Sequence, residues 1–167
     1  MTLPLPPDVP QTHLAVLQQF RLIYGTMRQY FRVVEERCGL PGSQMWILQE
    51  VQRRPGIGVS ELAARLAIHQ STCSQLVDRL AVRGCLVKAR RPEDHRRLGL
   101  HLAPDGEKAI AALPGSAEGA LPEALTAMPE VALKTLEINL SELIRHLPGR
   151  DDAFASVPLA EIVGNVP

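Results

Sequence analysis

The sequence predicts a mainly α-helical chain with one small β-hairpin, an α+β fold, and two observations lead there. Apolar residues recur at intervals of three and four along most of the chain, which places them on one side of successive helices. Between residues 86 and 102 the period changes to two around a charged interval, the pattern of two strands and a tip. At 167 residues the chain holds one compact domain, or one domain with an added assembly arm. A hydrophobic share of 46% with 22% charged residues is ordinary for a globular chain. No run of about 18 apolar residues occurs, so no membrane span is expected. The opening Met-Thr-Leu-Pro-Leu-Pro-Pro has neither the basic nor the apolar stretch of a secretion signal, so the expected location is cytoplasmic.

The first helix is expected from Thr12 to Cys38. Leu17, Phe20, Tyr24, Met27, Phe31, Val34 and Cys38 follow a 3-4-3-4-3-4 spacing, a heptad seam about three repeats long, with Gly39 as its stop. The next helix carries Trp46, the single tryptophan, near its start. A short helix from Ser60 to Leu66 turns Leu62, Ala63 and Leu66 to one side, and the Ser60 hydroxyl is placed to cap its free N–H groups. A tight turn, Ala67-Ile68-His69, leads to a helix over about Gln70 to Arg83. Its buried side is Cys73, Leu76, Val77 and Leu80, which leaves Ser71, Thr72, Ser74, Gln75, Asp78 and Arg79 facing outward. Gly84 ends it in the left-handed conformation. Leu86 to Arg90 reads as a strand, and Leu98, Leu100 and Leu102, alternating with Gly99 and His101, as its return partner. Residues 91–97 are too charged for a core and make a projecting tip. A third helical pattern over about Pro104 to Ala127 carries Ile110, Leu113, Leu121 and Leu125, with Pro114, Gly115, Gly119 and Pro122 to kink or break it. Leu133, Leu136, Leu140, Leu143 and Leu147 then repeat 3-4-3-4 behind Pro129, a suitable first-turn proline. In the final segment Val157, Leu159, Ile162 and Val163 are expected to pack onto the helical arms.

Two short helices, a turn and a basic hairpin are the grammar of a winged helix-turn-helix, and the partner this names is duplex DNA. The outward side of the second helix has short hydroxyls and amides at Gln70, Ser71, Thr72, Ser74 and Gln75, followed by Arg79. These suit base edges and phosphates in a major groove. A net charge of zero argues against phosphate binding only as an average. Residues 53–97 hold 10 basic and 4 acidic side chains, net +6, whereas residues 98–167 hold 4 and 10, net −6, and residues 1–52 balance at 4 each. The positive charge sits on the expected DNA face, with Arg90, Arg91, Arg96 and Arg97 as wing anchors and Asp94 as the group that orients one of them.

These residues resemble the MarR family of bacterial transcription regulators over about residues 12–147. The marks are Glu61-Leu62-Ala63, Ser71-Thr72 through Leu76-Val77-Asp78-Arg79-Leu80, Arg83-Gly84-Cys85-Leu86-Val87, Asp94-x-Arg96, and Leu102-Ala103-Pro104-x-Gly106. Three positions depart from the pattern: His69 where the family often has a better helix cap, His95 where arginine or glycine is usual, and Ala103 in place of threonine. The resemblance implies a homodimer on a pseudo-palindromic operator, most often a repressor released by a small aromatic or phenolic effector. The expected organisation is an N-terminal extension over 1–11, a dimerisation helix over 12–40, the winged helix-turn-helix over 43–103, dimerisation helices over 104–147 and a tail over 148–167. Seams of this length exceed what a winged helix of about 60 residues buries, which independently favours a second chain. Near the junction of arm and DNA domain, Arg21, Tyr24, Arg28, Tyr30 and Trp46 supply the cations and rings an aromatic acid would need, with Arg21, Tyr24, Arg28 and Trp46 the candidate effector residues.

Other classes of function fit less of the chain. There is no phosphate-cradling glycine loop, His-Glu-x-x-His or Gly-x-Ser-x-Gly, so no enzyme is expected and no cofactor is implied. His69, His95 and His101 lie near the turn and wing, but their spacing fits no standard zinc pattern. Cys73 and Cys85 read as small core residues. Cys38, beside Arg37, is the one candidate for a thiol-based redox regulator. A non-specific architectural DNA-binding protein would be basic throughout and would not need acidic helical arms.

Overall fold

The computed structural model describes residues 9–164. Its elements are α1 (Val9–Cys38), α2 (Gly42–Arg53), α3 (Val59–Leu66), α4 (Gln70–Val82), β1 (Leu86–Arg90), β2 (Leu98–Leu102), α5 (Pro104–Ala111), α6 (Ala120–Thr126), α7 (Glu130–Arg145), a 3-10 turn (Asp152–Ser156) and α8 (Leu159–Gly164). Mainly helical with a two-stranded antiparallel hairpin, this is the expected α+β winged helix-turn-helix. Residues 1–8 of the expected N-terminal extension and residues 165–167 of the tail lie outside the described residues. No helix among the described residues is long and apolar enough to cross a membrane.

The core forms where α2, α3 and α4 meet the base of the hairpin and the last turns of α1. Val34, Met45, Leu48, Val51, Leu62, Val77, Leu80 and Leu100 are fully or almost fully buried there. On α4 the buried residues are Cys73, Leu76, Val77 and Leu80, as the spacing predicts. One charge enters this core. The Glu50 carboxylate is buried, receives the Arg65 guanidinium at 2.5 Å and has Arg53 at 3.5 Å, so an ion pair fastens α2 to α3.

Helix ends follow local chemistry with two corrections. Ser60 is not the cap of α3. The helix starts one residue earlier, Gly58 holds the cap position, and no side chain bonds there. Gly58 lies under the Arg91 guanidinium, and a Cβ at that position would be 3.1 Å from Arg91 Nη2, so the wing root and not a serine hydroxyl shapes the start of α3. Pro129 likewise precedes α7 as its cap, with ψ of 140°, because an extended conformation there lets the helix begin at Glu130. His69 and Ala103, two of the departures from the family pattern, stand at the caps of α4 and α5 and make no side-chain capping bond. Gly84 takes φ +71° after α4, as predicted.

β1 and β2 pair from Leu86↔Leu102 out to Arg90↔Leu98. Their base is tied to the turn before α3: Gly56 donates its N–H to Leu100 O and Leu100 donates to Ile57 O, both at 2.8 Å. Gly99 makes this possible, since a Cβ there would lie 2.6 Å from Gly56 O. The inward leucine alternation therefore holds at the base only. Leu100 is buried, whereas Leu98, out toward the tip and past the helical layer, is 53% exposed.

The helical arms do not cover each other within the chain. Phe31 and Val34 of α1 are buried, but Leu17, Phe20 and Tyr24 of the same seam are exposed. The pattern over 104–127 is broken at residues 112–119, with Gly119 at φ +86° before α6. In α7 no residue is buried. The tail also differs from expectation. It reaches α1 and α2, beside which Pro158 and Val163 are buried, and Phe154, Val157 and Ile162 lie along the flank of α4. Gly42, which has no side chain to obstruct Ala160, permits that approach.

Candidate nucleic-acid interface

The turn Ala67-Ile68-His69 sets the angle between α3 and α4. Ala67 adopts a left-handed conformation (φ 51°) and Ile68 is buried, so the chain reverses sharply and α4 leaves with its polar side in solvent. Gln70, Ser71, Gln75, Asp78 and Arg79 are exposed, and Thr72 and Ser74 are half-buried at its flanks. The helix is joined to the wing by Asp78, whose carboxylate accepts from Lys88 Nζ of β1 at 2.6 Å.

The wing tip is closed by backbone bonds from Arg91 N–H to Arg97 O and from Arg97 N–H to Asp94 O, both 2.9 Å. The Asp94 carboxylate accepts the Arg96 backbone N–H at 3.0 Å. Asp94 thus orders the backbone that carries Arg96; it forms no ion pair with an arginine side chain among the described residues, so its expected hold on a guanidinium is absent from this structure. Arg96 and Arg97 are exposed and enter no ion pair among the described residues. Arg90 is exposed and donates to His95 O at 3.3 Å. Arg91 behaves differently from the other three. It folds back over the wing root, pairs with Glu61 of α3 at 3.3 Å, and leaves its Nε buried without a partner. Glu61 also has Arg54 at 3.8 Å.

The candidate effector residues are not gathered into one pocket. Arg28 lines a cavity of about 620 Å³ between α1 and α8 with Phe31, Arg32, Glu35 and Arg79. Trp46 lines a separate, smaller one of about 90 Å³ with Phe31, Ala117, Pro122 and the segment Pro158–Ala160, and its indole N–H is buried without a partner. Tyr24 and Arg21 sit one and two turns before Arg28 on the exposed part of α1 and line neither cavity. Tyr30 bonds instead to Ser116 O at 2.6 Å, and burial raises its phenol pKa. Burial also raises the Cys38 thiol, only partly offset by Arg37, which works against a reactive thiolate. The buried Cys73 thiol is pushed up to about 11.

Sequence reasoning missed one part of this surface. Phe154, Val157, Glu161 and Ile162 of the tail stand against Thr72, Gln75 and Arg79 of α4 across a cavity of about 470 Å³. The apolar period of 157–163 marked the segment as one that packs, but nothing local in it names α4 as the neighbour.

Comparison with known proteins places this geometry. Residues 39–97, the span from the end of α1 through the wing tip, match the model of the MarR family. Over 87 residues the chain is 30% identical to a putative transcriptional regulatory protein for the hcr operon of Thauera aromatica; the match covers 52% of each, so the chain spans about half the length of that relative. The fold is shared with the transcription regulator MarR of Oenococcus oeni, at 17% identity and a TM-score of 0.55, over 78% of this chain and 98% of that one. It is shared also with an S. aureus MepR mutant bound to an oligodeoxyribonucleotide, at 19% identity and a TM-score of 0.51, over 80% of this chain and 98% of that one.

Proposed function

We propose that the chain, whose residues 39–97 match the model of the MarR family, is a DNA-binding transcription regulator of that family, a sequence-specific homodimeric repressor released by a small aromatic or phenolic effector. The observation that carries the DNA-binding part is the exposed row Ser71, Gln75 and Arg79 on α4 beside a wing whose Arg96 and Arg97 side chains enter no ion pair among the described residues. α4 reads base edges in the major groove, and Arg90, Arg96 and Arg97 hold phosphate or the minor groove. Arg91 supports the wing root first and meets DNA only if it leaves Glu61. In this reading residues 43–103 are the DNA-binding unit and residues 12–40 and 104–147 assemble the dimer.

Dimerisation is supported by α7, a 16-residue helix with no buried residue, and by the bare half of the α1 seam. Leu133, Leu136, Leu140, Leu143 and Leu147 need an apolar partner, and a second copy of α1 and α7 supplies one of matching length. The cavity beside Arg28 is the support for an effector, since a carboxylate there would meet Arg28 and Arg79 beside the Phe31 ring. The chain is not expected to be an enzyme.

The experiment is enrichment of duplexes from a random library by the full chain, followed by footprinting. Gln75→Ala and Arg79→Ala should relax preference at particular base pairs by about 1–3 kcal/mol each. Equal loss on enriched and random duplexes would reassign them to the backbone. Sedimentation of the same preparation should give a dimer that Leu136→Glu with Leu140→Glu abolishes, and a stable wild-type monomer at micromolar concentration refutes the assembly. Thermal shift against small aromatic acids tests the effector.

A further inference from the structure

We propose that residues 151–164 are a detachable cover on the recognition helix: docked, they keep α4 out of the major groove, and specific DNA binding requires their release. The inference rests on the reading of α4 as the groove-reading helix. Phe154, Val157 and Ile162 face Thr72, Gln75 and Arg79, the flank of α4 that carries three of the outward polar residues. An α-helix with its side chains is about 10–12 Å across, and the major groove is about 12 Å wide. The groove therefore has room for α4 alone, and a second segment seated along its flank at the level of Gln75 meets the groove wall.

Charge acts in the same direction. Residues 148–164 carry one basic side chain, Arg150, and three acidic ones, Asp151, Asp152 and Glu161, set against a stretch of net charge +6 over residues 53–97. Carboxylates on the cover gain from that field while docked and oppose phosphate at the same place.

The attachment is small enough to be reversible. Its buried anchors are Pro158 and Val163, with Ala160 against Gly42. Its polar anchors include His69 N–H to Ser156 O at 3.2 Å and Ser43 Oγ to Glu161 Oε1 at 2.5 Å. Phe154 stays 59% exposed and Leu159 41% exposed even when docked. The first polar anchor is at the cap residue of α4, so release of the cover also frees the start of the reading helix.

Trp46 reports on the attachment, because Pro158, Leu159 and Ala160 wall the small cavity it lines and it is the only tryptophan. Ala160→Arg places a long cation where α8 abuts Gly42 and should release the cover, shifting Trp46 emission to the red. Ser43→Ala removes one anchor and should do so partially. Affinity for the duplex enriched by the wild-type chain is then measured for all three. If the cover is open in about one molecule in ten, Ala160→Arg binds about tenfold tighter, with Ser43→Ala between it and wild type. Saturating duplex should also red-shift Trp46 of the wild type and leave the already shifted Ala160→Arg unchanged. An emission shift without tighter binding, or with weaker binding, overturns the proposal and makes the segment a support for α4. Unchanged emission in Ala160→Arg overturns the attachment. Enrichment of duplexes by Ala160→Arg but not by wild type supports the cover in its strongest form. Enrichment by neither chain, with Trp46 shifted in the variant, sinks the DNA-binding reading instead and removes the cover's purpose with it.

Discussion

Gly106→Ala sets two effects of opposite sign against each other in the first turn of α5. Alanine in place of glycine in a helix gains about 1 kcal/mol from propensity. A Cβ at this position, however, would sit 2.2 Å from the carbonyl oxygen of Cys85 and 3.1 Å from its carbonyl carbon. Ordinary carbon–oxygen approach is about 3.3 Å, so α5 and the base of the hairpin must separate by roughly 1 Å. The oxygen in question accepts the Ala103 N–H at 3.0 Å, next to the Leu86↔Leu102 rung. Overpacking of this kind costs about 1–3 kcal/mol. Losing the bond and leaving a buried carbonyl costs roughly 1–3 kcal/mol more. The clash outweighs the propensity gain, and the expected net loss is about 3 kcal/mol. Urea unfolding followed by far-ultraviolet circular dichroism, at one fixed chain concentration, should show a midpoint lower by about 1–2 M with an unchanged slope. A midpoint equal to or above that of wild type would refute the reasoning, because it would mean that α5 slides off Cys85 at no cost.

Arg65→Ala leaves the Glu50 carboxylate buried with only Arg53 at 3.5 Å; breaking one side of a buried pair costs about 3–5 kcal/mol, and the remaining Arg53 and the part-exposed Arg65 reduce this to roughly 2 kcal/mol by urea melt. Recovery of most of that loss by adding Glu50→Met identifies the uncompensated charge as its source, and no recovery assigns it to lost packing. Arg96→Ala should weaken binding to nearly all duplexes and flatten log affinity against log salt by about one unit, read by fluorescence anisotropy. Asp94→Ala should also weaken binding, although it removes a negative charge, because the Arg96 N–H loses its acceptor; tighter binding would show that simple repulsion governs the tip. Burial pushes the Cys73 thiol up to about 11 from its ordinary value of 9.0. Between those pH values the unfolded chain ionises and the native one does not, so stability is full below the lower value and is lost as pH rises toward the upper one, by on the order of 2–3 kcal/mol. Cys73→Ala should remove that part of the alkaline loss, and identical pH profiles for the two proteins would contradict it.

The parts of this fold that depend on short-range pattern are legible in the sequence itself. Cys73, Leu76, Val77 and Leu80 occupy the buried side of α4 because a helical period leaves them no other side, and the rungs of the hairpin follow from leucines at every second position. What escaped depends on partners far along the chain. Arg91 looks like Arg90 or Arg96 in sequence, yet its partner Glu61 lies 30 residues earlier and turns it inward. Ser60 looks like a cap, but Gly58 takes that role under the Arg91 guanidinium. Gly106 stands out as a family mark in sequence, while its reason, the Cys85 carbonyl, is visible only once the hairpin meets α5. The four candidate effector residues combine cations and rings, but Arg21, Tyr24 and Arg28 are exposed on α1 whereas Trp46 is on α2 and lines a separate small cavity, a separation that only the packing of α2 and the tail reveals.

The close approach of Gly99 to Gly56 makes the wing modular. Its root is pinned to the turn before α3 by two short hydrogen bonds and a contact that admits no side chain, whereas residues 92–97 are all exposed. Length can be inserted or deleted at the tip without moving the root, and therefore without moving α4. At about 3.3 Å per residue, two residues added to each strand lengthen the wing by roughly 7 Å. Descendants of this chain could thus adjust how far the wing projects while leaving α4 where it is. The root tolerates no such change: a single methyl group at residue 99 would pry the hairpin from the turn before α3.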